Sequence, residues 1–250
     1  MSGHSKWATI KRKKGKADAA RGRMFTRLIK EITVVARDGG GDPESNPRLR
    51  TAIATAKAAN MPADNIKKAI QKGTGELPGA VYEEATYEGY GPGGVAIFID
   101  TLTDNKNRTV AEIRYVFSKH NGNLGENGCV AWMFDTKGII TINNDGVAED
   151  ALMEAALDAG ASDMDSQEDA FEITTEPGDL ETVRAALEKA EFPIIEAEVR
   201  RLPQNTVKLE KKKAETLLRL LDGIENQEDV QRVSANFDID DSIMEKLSGG

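Results

Sequence analysis

The side chains that most often perform nucleophilic or acid–base chemistry are scarce in this 250-residue sequence. It contains two histidines, His4 and His120, and one cysteine, Cys129. A Cys129–His120 pair is a candidate for a nucleophile activated by a base. Cys129, however, opens the apolar segment CVAWMF, where a free cysteine behaves as a small hydrophobic side chain. We therefore expect a structural cysteine, and the sequence predicts a protein that is not an enzyme.

Metal and phosphate motifs are incomplete. A structural zinc site needs about four nitrogen or sulfur ligands, which this sequence does not supply. The carboxylates of residues 163–169 are spaced like calcium ligands, but the glycine and glutamate that complete a calcium loop are missing, which predicts a solvated acidic loop. Residues 89–94 are glycine-rich, yet no Lys-Ser/Thr pair or helix follows, which predicts a hairpin turn. We expect no metal, no cofactor and no small-molecule substrate.

Basic side chains are concentrated at the N-terminus. Residues 1–30 hold 10 Lys and Arg and one acidic residue, and residues 1–72 hold 17 Lys and Arg against 6 Asp and Glu. The rest of the chain holds 16 against 36, and the whole chain has a net charge of -9. This asymmetry is typical of a basic arm that binds a polyanion, carried on an acidic body that the polyanion avoids. A solvated tail that only adds solubility is the alternative.

The predicted nucleic-acid-binding residues are mainly cations, each able to neutralise a phosphate and release counterions. Trp7 can stack on an unpaired base, which is worth roughly 1–3 kcal/mol, or it can pack on the first helix. A second cationic surface is predicted on the helix after Asp104, with Lys106, Arg108, Arg114 and Lys119, where ordinary exposed helix charge is the alternative. The predicted set is Lys6, Trp7, Lys11, Arg12, Lys13, Lys14, Lys16, Arg21, Arg23, Arg27, Lys30, Arg108 and Arg114.

Hydrophobic periodicity predicts the elements that carry these residues. Apolar side chains at helical spacing predict a helix from Arg23 that ends at the glycines 39–41. Asn46 before Pro47 predicts a capped second helix, and Met61-Pro62 opens a third helix that runs to residue 73. The N-terminal residues before the first helix show no sustained period, and we expect them to stay mobile until they bind.

The period changes to that of strands after a linker at residues 73–80. Strands are predicted at 81–90, 95–102 and 129–134, with a helix after Asp104. Residues 138–200 alternate strand, helix, strand, helix, strand, which is typical of a ferredoxin-like sandwich. A helix over 207–221 and a strand over 230–238 are expected to return to the first of these α/β units.

The sequence thus predicts an α+β protein with an N-terminal three-helix domain followed by two α/β sandwich (ferredoxin-like) domains, one of them discontinuous. The predicted bounds are 1–22 for the basic arm, 23–80 for the helical domain, 81–135 plus 205–240 for the discontinuous domain, and 136–204 for the inserted domain. No apolar run approaches the roughly 18 residues of a membrane span, and no secretory signal or myristoylation motif opens the sequence. With a single cysteine, these features predict a cytoplasmic protein with no membrane partner.

Several short segments of the sequence resemble the YebC/PmpR family. They are Gly3-His-Ser-Lys-Trp7, Gly39-Gly-Gly-Asp-Pro43, Asn46-Pro47, Asn60-Met-Pro62, Tyr87-Glu-Gly-Tyr-Gly-Pro-Gly-Gly94 and Thr103-Asp-Asn-Lys-Asn-Arg-Thr109. The similarity runs through essentially the whole chain. It implies three domains around a cleft and, as the usual assigned activity, DNA binding by a transcriptional regulator. It also implies kinship with the mitochondrial translational activator of cytochrome oxidase and with relatives thought to relieve ribosome stalling at consecutive prolines.

Two nucleic-acid targets stay open. A DNA-binding regulator reads sequence with a helix in the major groove, but the Ala-rich helix at 47–59 offers only Arg48, Arg50 and Lys57 for this purpose. A flexible basic arm with one tryptophan suits structured or single-stranded RNA. We therefore predict a nucleic-acid-binding regulator of gene expression, acting on DNA or on rRNA or tRNA at the ribosome, rather than an enzyme or a protein-only adaptor.

Overall fold

The computed structural model describes residues 17–167, 170–240 and 243. The chain divides into two compact units, Asp135–Leu202 and the remainder, Met1–Phe134 with Pro203–Gly250. Helices and antiparallel sheets alternate in both, which confirms the predicted α+β class. In chain order the elements are α1 (Ala17–Gly39), α2 (Pro47–Ala58), α3 (Ala63–Gly73), β1 (Glu83–Gly91), β2 (Val95–Thr103), α4 (Lys106–Lys119), β3 (Asn123–Leu124), β4 (Phe134–Asn143), α5 (Glu149–Asp158), β5 (Asp163–Ser166), β6 (Ala170–Thr175), α6 (Leu180–Lys189), β7 (Ile194–Pro203), β8 (Val207–Lys208), α7 (Lys211–Glu225), β9 (Val230–Ala235) and β10 (Phe237–Asp238).

The first three helices pack around their own apolar core, which includes Ile32, Leu49 and Ile66. Asn46 joins two of them, because its side-chain oxygen accepts the Leu49 N–H at 3.1 Å while its amide donates to the Val35 carbonyl at 3.0 Å. The predicted cap of α2 is therefore confirmed. Helix α1 begins at Ala17, six residues before its predicted start at Arg23. Alanine favours a helix through its intrinsic propensity, so these residues extend the helix without adding the apolar periodicity on which the prediction depended.

The first sheet has the strand order β3-β1-β2-β9. Strands β1 and β2 form an antiparallel hairpin, and β9 pairs antiparallel with β2, with Ile97 opposite Ala235. Residues 203–240 thus return to a sheet that began more than a hundred residues earlier. Helices α4 and α7 cover one face of this sheet, and their core includes Ile99, Phe117 and Leu217. A short parallel pair, β8 with β10, lies outside it.

The predicted strand at 129–134 is wrong. Residues 131–133 form a 3-10 helix, and β4 begins only at Phe134. The reason is Glu88 on β1, whose carboxylate is 3% exposed and accepts backbone N–H groups from Gly128, Val130 and Ala131 at 2.6, 2.7 and 2.8 Å. Donors bound to a buried carboxylate are not available to a strand ladder, so the apolar residues cover the sheet as a loop.

The second unit has the element order β4-α5-β5-β6-α6-β7 and the sheet order β5-β6-β4-β7. This is the β-α-β-β-α-β arrangement of the ferredoxin-like fold. The acidic segment predicted to be a loop contains β5, which pairs antiparallel with β6. The segment forms a strand because its side chains alternate between the two faces of the sheet: Met164 packs on the core, while Asp163 and Asp165 on either side are exposed. Charged residues of this kind suit an edge strand.

Candidate nucleic-acid interface

Helix α1 carries the described part of the predicted basic surface. Arg21 and Arg23 are exposed in its first turns, and neither forms an ion pair with a side chain that the structure describes. Both guanidinium groups are therefore exposed and, among the described side chains, not neutralised by a carboxylate. The remaining predicted contacts of the arm lie outside the described residues, and their role stays a prediction: Lys6, Trp7, Lys11, Arg12, Lys13, Lys14 and Lys16.

The structure contradicts the prediction that Lys30 contacts a phosphate, because its ammonium group is buried and paired inside the protein. The side chain is 4% exposed, and Nζ lies 2.7 Å from an Asp229 carboxylate oxygen. It also donates to the Glu228 carbonyl at 3.2 Å and lies 5.3 Å from the centre of the Tyr82 ring. A buried cation with these partners is not offered to a phosphate.

Arg27 is intermediate between the exposed arginines at the start of α1 and the buried Lys30. It is half-buried, and its guanidinium donates to the backbone carbonyl of Glu225 at the end of α7. Burial lowers the pKa of Arg27, the carboxylate of Glu225 opposes this shift, and the neighbouring Arg23 adds to it. The buried Nε has no hydrogen-bond partner among the described residues. Arg27 therefore serves mainly to hold α1 against α7.

Arg108 is also bound within the protein. Its guanidinium donates to Asp104 at 2.8 Å and to Asp229 at 2.7 Å, although 44% of the side chain is exposed. These two hydrogen bonds raise its pKa. The first turn of α4 is fixed in addition by Asn105, whose side chain accepts the Arg108 N–H at 3.1 Å. Arg108 thus orders the start of α4, and its guanidinium already has two carboxylate partners within the protein.

Asp229 is the centre of this network, and sequence reasoning missed it. The residue is 2% exposed, and its carboxylate accepts hydrogen bonds from Lys30, Arg108, Thr109 and Thr103 at 2.7, 2.7, 2.7 and 3.1 Å. Burial alone raises the pKa of such a carboxyl, but the hydrogen bonds from Arg108, Lys30 and Thr109 outweigh it and lower the pKa of Asp229 to about 2.

In the sequence, the part that pointed to this network is the segment Thr103-Asp-Asn-Lys-Asn-Arg-Thr109. Its two threonines and its arginine all bind Asp229, and Asn105 caps the helix between them. The partner could not be found from the sequence because Lys30 and Asp229 are 199 residues apart. The segment therefore builds a contact between α1, α4 and the start of β9.

Further cations of the helical part contact the α/β part of the same unit. Arg37 donates to the Tyr82 carbonyl at 2.6 Å, and Arg48 lies 3.4 Å from a Glu84 carboxylate oxygen. On α4, Lys106 pairs with Glu83 at 2.6 Å. Arg114 and Lys119, in contrast, are exposed and form no ion pair with the described residues. Of the four cations predicted on α4, Lys106 and Arg108 thus pair with acids of the same unit, whereas Arg114 and Lys119 are exposed without an ion pair to a described residue.

The described residues hold no group of three or more His, Cys, Asp or Glu side chains able to bind a metal ion. Burial, followed by the charge of Glu88, raises the pKa of the Cys129 thiol. A thiol with a raised pKa is a poor nucleophile at neutral pH, because the thiolate is the reactive form. Among the described helices, none combines the length and the apolar character needed to cross a membrane.

Comparison with known proteins agrees with this architecture. Family models match residues 5–76, as the TACO1/YebC protein N-terminal domain, and residues 82–237, as the TACO1/YebC second and third domain. A "probable transcriptional regulatory protein" of Desulfosudis oleivorans is 60% identical over 98% of this chain and 100% of its own. The "probable transcriptional regulatory protein GSU1074" of Geobacter sulfurreducens is 58% identical over 99% and 100%.

A solved structure is similar over nearly the same length. The crystal structure of a conserved hypothetical protein, Aq1575, from Aquifex aeolicus has a TM-score of 0.84 and 48% sequence identity. The similarity covers 90% of this chain and 93% of that one. From the two family models, the relatives and the shared fold, the chain belongs to the TACO1/YebC family.

Proposed function

We propose that this protein is a nucleic-acid-binding regulator of gene expression that acts in the cytoplasm by binding rather than by catalysis. The observation that carries the proposal is the charge of residues 1–30, with 10 cations and a single acid. Arg21 and Arg23 extend that charge onto the exposed first turns of α1. Polyanion binding is the function that such a surface performs best, since each neutralised phosphate releases counterions.

DNA is the first candidate target, because the relatives are named probable transcriptional regulatory proteins. Phosphate contacts from the arm and α1 would position the protein on the duplex. The acidic remainder of the chain would limit indiscriminate coating of the same polyanion.

RNA at the ribosome is the second candidate, and the polar face of α2 favours it. Arg48 on this helix is paired with Glu84, and Arg50 donates to the Glu44 carbonyl at 3.4 Å. With Lys57, these are the three basic residues of α2, which is few for a recognition helix, and two of them already have a partner within the protein. Shape and single-strand recognition of RNA needs no such helix. Relief of stalling at consecutive prolines belongs to this second candidate.

The test is a variant in which Lys11, Arg12, Lys13 and Lys14 become alanine. For duplex DNA the slope of log affinity against log salt should fall in magnitude by about 3 to 4, at about 0.9 per lost phosphate contact. A matched control keeps the charge with Lys11→Arg, Arg12→Lys, Lys13→Arg and Lys14→Arg, and should bind as the wild type does. An alanine variant with unchanged affinity and salt slope would make the arm a solubility tail and would refute the proposal.

A further inference from the structure

Helices α4 and α7 bring exposed cations from distant parts of the chain together on one surface. The helices approach closely, since a β-carbon at Gly223 would lie 2.9 Å from Val116 and 3.9 Å from the His120 ring. Their inner sides pack on the sheet, so their outer sides face solvent. Lys119, Lys212 and Arg219 are exposed there, and none has an ion pair with a described residue. We call these three cations the α4–α7 basic face.

Two observations place the cations near one another. Lys119 precedes His120 on α4, and Arg219 lies one turn before Gly223, whose β-carbon position is 3.9 Å from the His120 ring. Burial, then the charges of Lys119 and Arg219, lower the pKa of His120, which agrees with this placement. Lys212 and Arg219 are seven residues apart on α7 and therefore share one side of that helix. Asp222, three residues after Arg219, accepts a hydrogen bond from Asn226 at 3.1 Å. Glu215 lies between Lys212 and Arg219 on α7, and Glu112 lies two turns before Lys119 on α4. Neither carboxylate is within ion-pair distance of the three cations among the described residues.

The start of α7 is basic, although its N-cap residue is Glu210. Residues 211–213 are all lysine, and the first turn has neither an acidic residue nor a side-chain cap. A helix N-terminus carries partial positive charge, so lysines there weaken the helix. An anion bound at this surface would remove that repulsion.

An exposed aromatic ring lies beside the cations. Tyr115 is 66% exposed and stands one turn before Lys119 on α4. Cations that follow a phosphate backbone, with aromatic rings on which bases stack, are the composition of single-stranded nucleic-acid binding surfaces. A duplex buries its base faces and would leave Tyr115 without a role.

We propose that the α4–α7 basic face, with Tyr115, is a second contact surface that binds single-stranded nucleic acid. This inference rests on the proposed function, which it extends from the N-terminal arm to the α/β part of the same unit. The cations bind phosphates and Tyr115 stacks on an unpaired base. RNA and single-stranded DNA share this chemistry, and both are used as probes.

The experiment measures binding of the full chain to a uridine-only RNA, and to the matching thymidine-only DNA, across a salt series. Lys119→Glu and Arg219→Glu should each reduce the slope of log affinity against log salt by about 0.7 or more. Lys189→Glu, an equal charge change on an exposed residue of α6, should leave the slope unchanged. Tyr115→Ala should lower affinity roughly tenfold without changing the slope, and Tyr115→Phe should bind as the wild type does.

Lys212→Glu separates lost binding from lost folding. A carboxylate at the positive end of α7 should raise the melting temperature, while the lost phosphate contact lowers affinity. Loss of affinity accompanied by a lower melting temperature would contradict this assignment.

The outcomes also separate this inference from the proposed function. If Lys119→Glu and Arg219→Glu bind like Lys189→Glu while the arm variant loses binding, the α4–α7 face is not a contact surface and the proposed function stands. If the wild type binds neither probe nor duplex DNA, both fail. Tighter binding of the wild type to polyglutamate than to RNA would assign the face to an acidic protein and overturn the inference.

Discussion

Replacing Asp229 with alanine removes the acid that joins α1 to α4 and β9. In the native protein Lys30 is 4% exposed and depends on this carboxylate at 2.7 Å for its charge partner. Arg108 also loses a partner, but it is 44% exposed and keeps Asp104 and water. The cost of Asp229→Ala therefore comes mainly from the buried ammonium group that remains.

The expected loss is about 4 kcal/mol in the free energy of unfolding. Removing one partner of a buried ion pair costs about 3–5 kcal/mol, because an uncompensated charge stays buried. Thr103 and Thr109 also lose an acceptor, but they can still bond each other at 2.7 Å. Lys30→Met added to Asp229→Ala should restore about half of the loss or more, since it removes the unpaired charge.

The assay is urea unfolding at neutral pH, followed by far-ultraviolet circular dichroism. The control is Glu84→Ala, which removes a carboxylate that is 63% exposed and lies 3.4 Å from Arg48. Such a surface pair is worth about 0–1 kcal/mol. If Asp229→Ala costs no more than Glu84→Ala, then Lys30 does not depend on this ion pair.

Three further predictions concern the same fold. The pKa of Asp229 is lowered from 3.8 to about 2, so its contribution to the free energy of unfolding should be complete above pH 4 and lost as the pH falls towards 2. The free energy of unfolding of Asp229→Asn, measured against pH, should therefore change less in that window. Asn46→Ala should cost about 1–2 kcal/mol in thermal unfolding, since it removes the α2 cap and the bond to Val35, whereas an unchanged melting temperature would contradict that role. Glu88→Gln should cost about 2–3 kcal/mol, because one amide oxygen cannot accept all the N–H groups that both carboxylate oxygens bind, and an equal stability would mean that the 125–133 loop is held otherwise.

Local rules predicted much of the fold. Helical apolar spacing, the Asn46-Pro47 cap and the Gly91–Gly94 turn are each encoded within a few residues, and the structure confirms them. The segment at 129–134 was misread because its apolar residues fit a strand equally well. Only the buried Glu88, which lies some forty residues earlier, decides between strand and loop.

The candidate interface was harder to predict because a sequence does not show which charges are already paired. Lys30 and Arg108 have the residue types of phosphate contacts, yet both bind Asp229. Lys212 and Arg219 lie in a segment that gave only a helical pattern, and their proximity to Lys119 depends on how α7 packs on α4. Long-range pairing therefore binds some of the predicted cations within the protein, and helix packing adds cations of α7 to the α4 surface that the sequence predicted.

The most direct test of nucleic-acid binding is co-sedimentation of the full chain with ribosomes in a salt series, beside binding to random duplex DNA in the same buffers. We expect association with at least one of these polyanions, with log affinity falling linearly as log salt rises. Ribosome association that survives physiological salt while DNA binding collapses would identify an RNA-directed regulator, and the reverse, with sequence-selective DNA binding, a transcriptional one. A protein that stays free of both ribosomes and DNA at low salt would contradict nucleic-acid binding as its function.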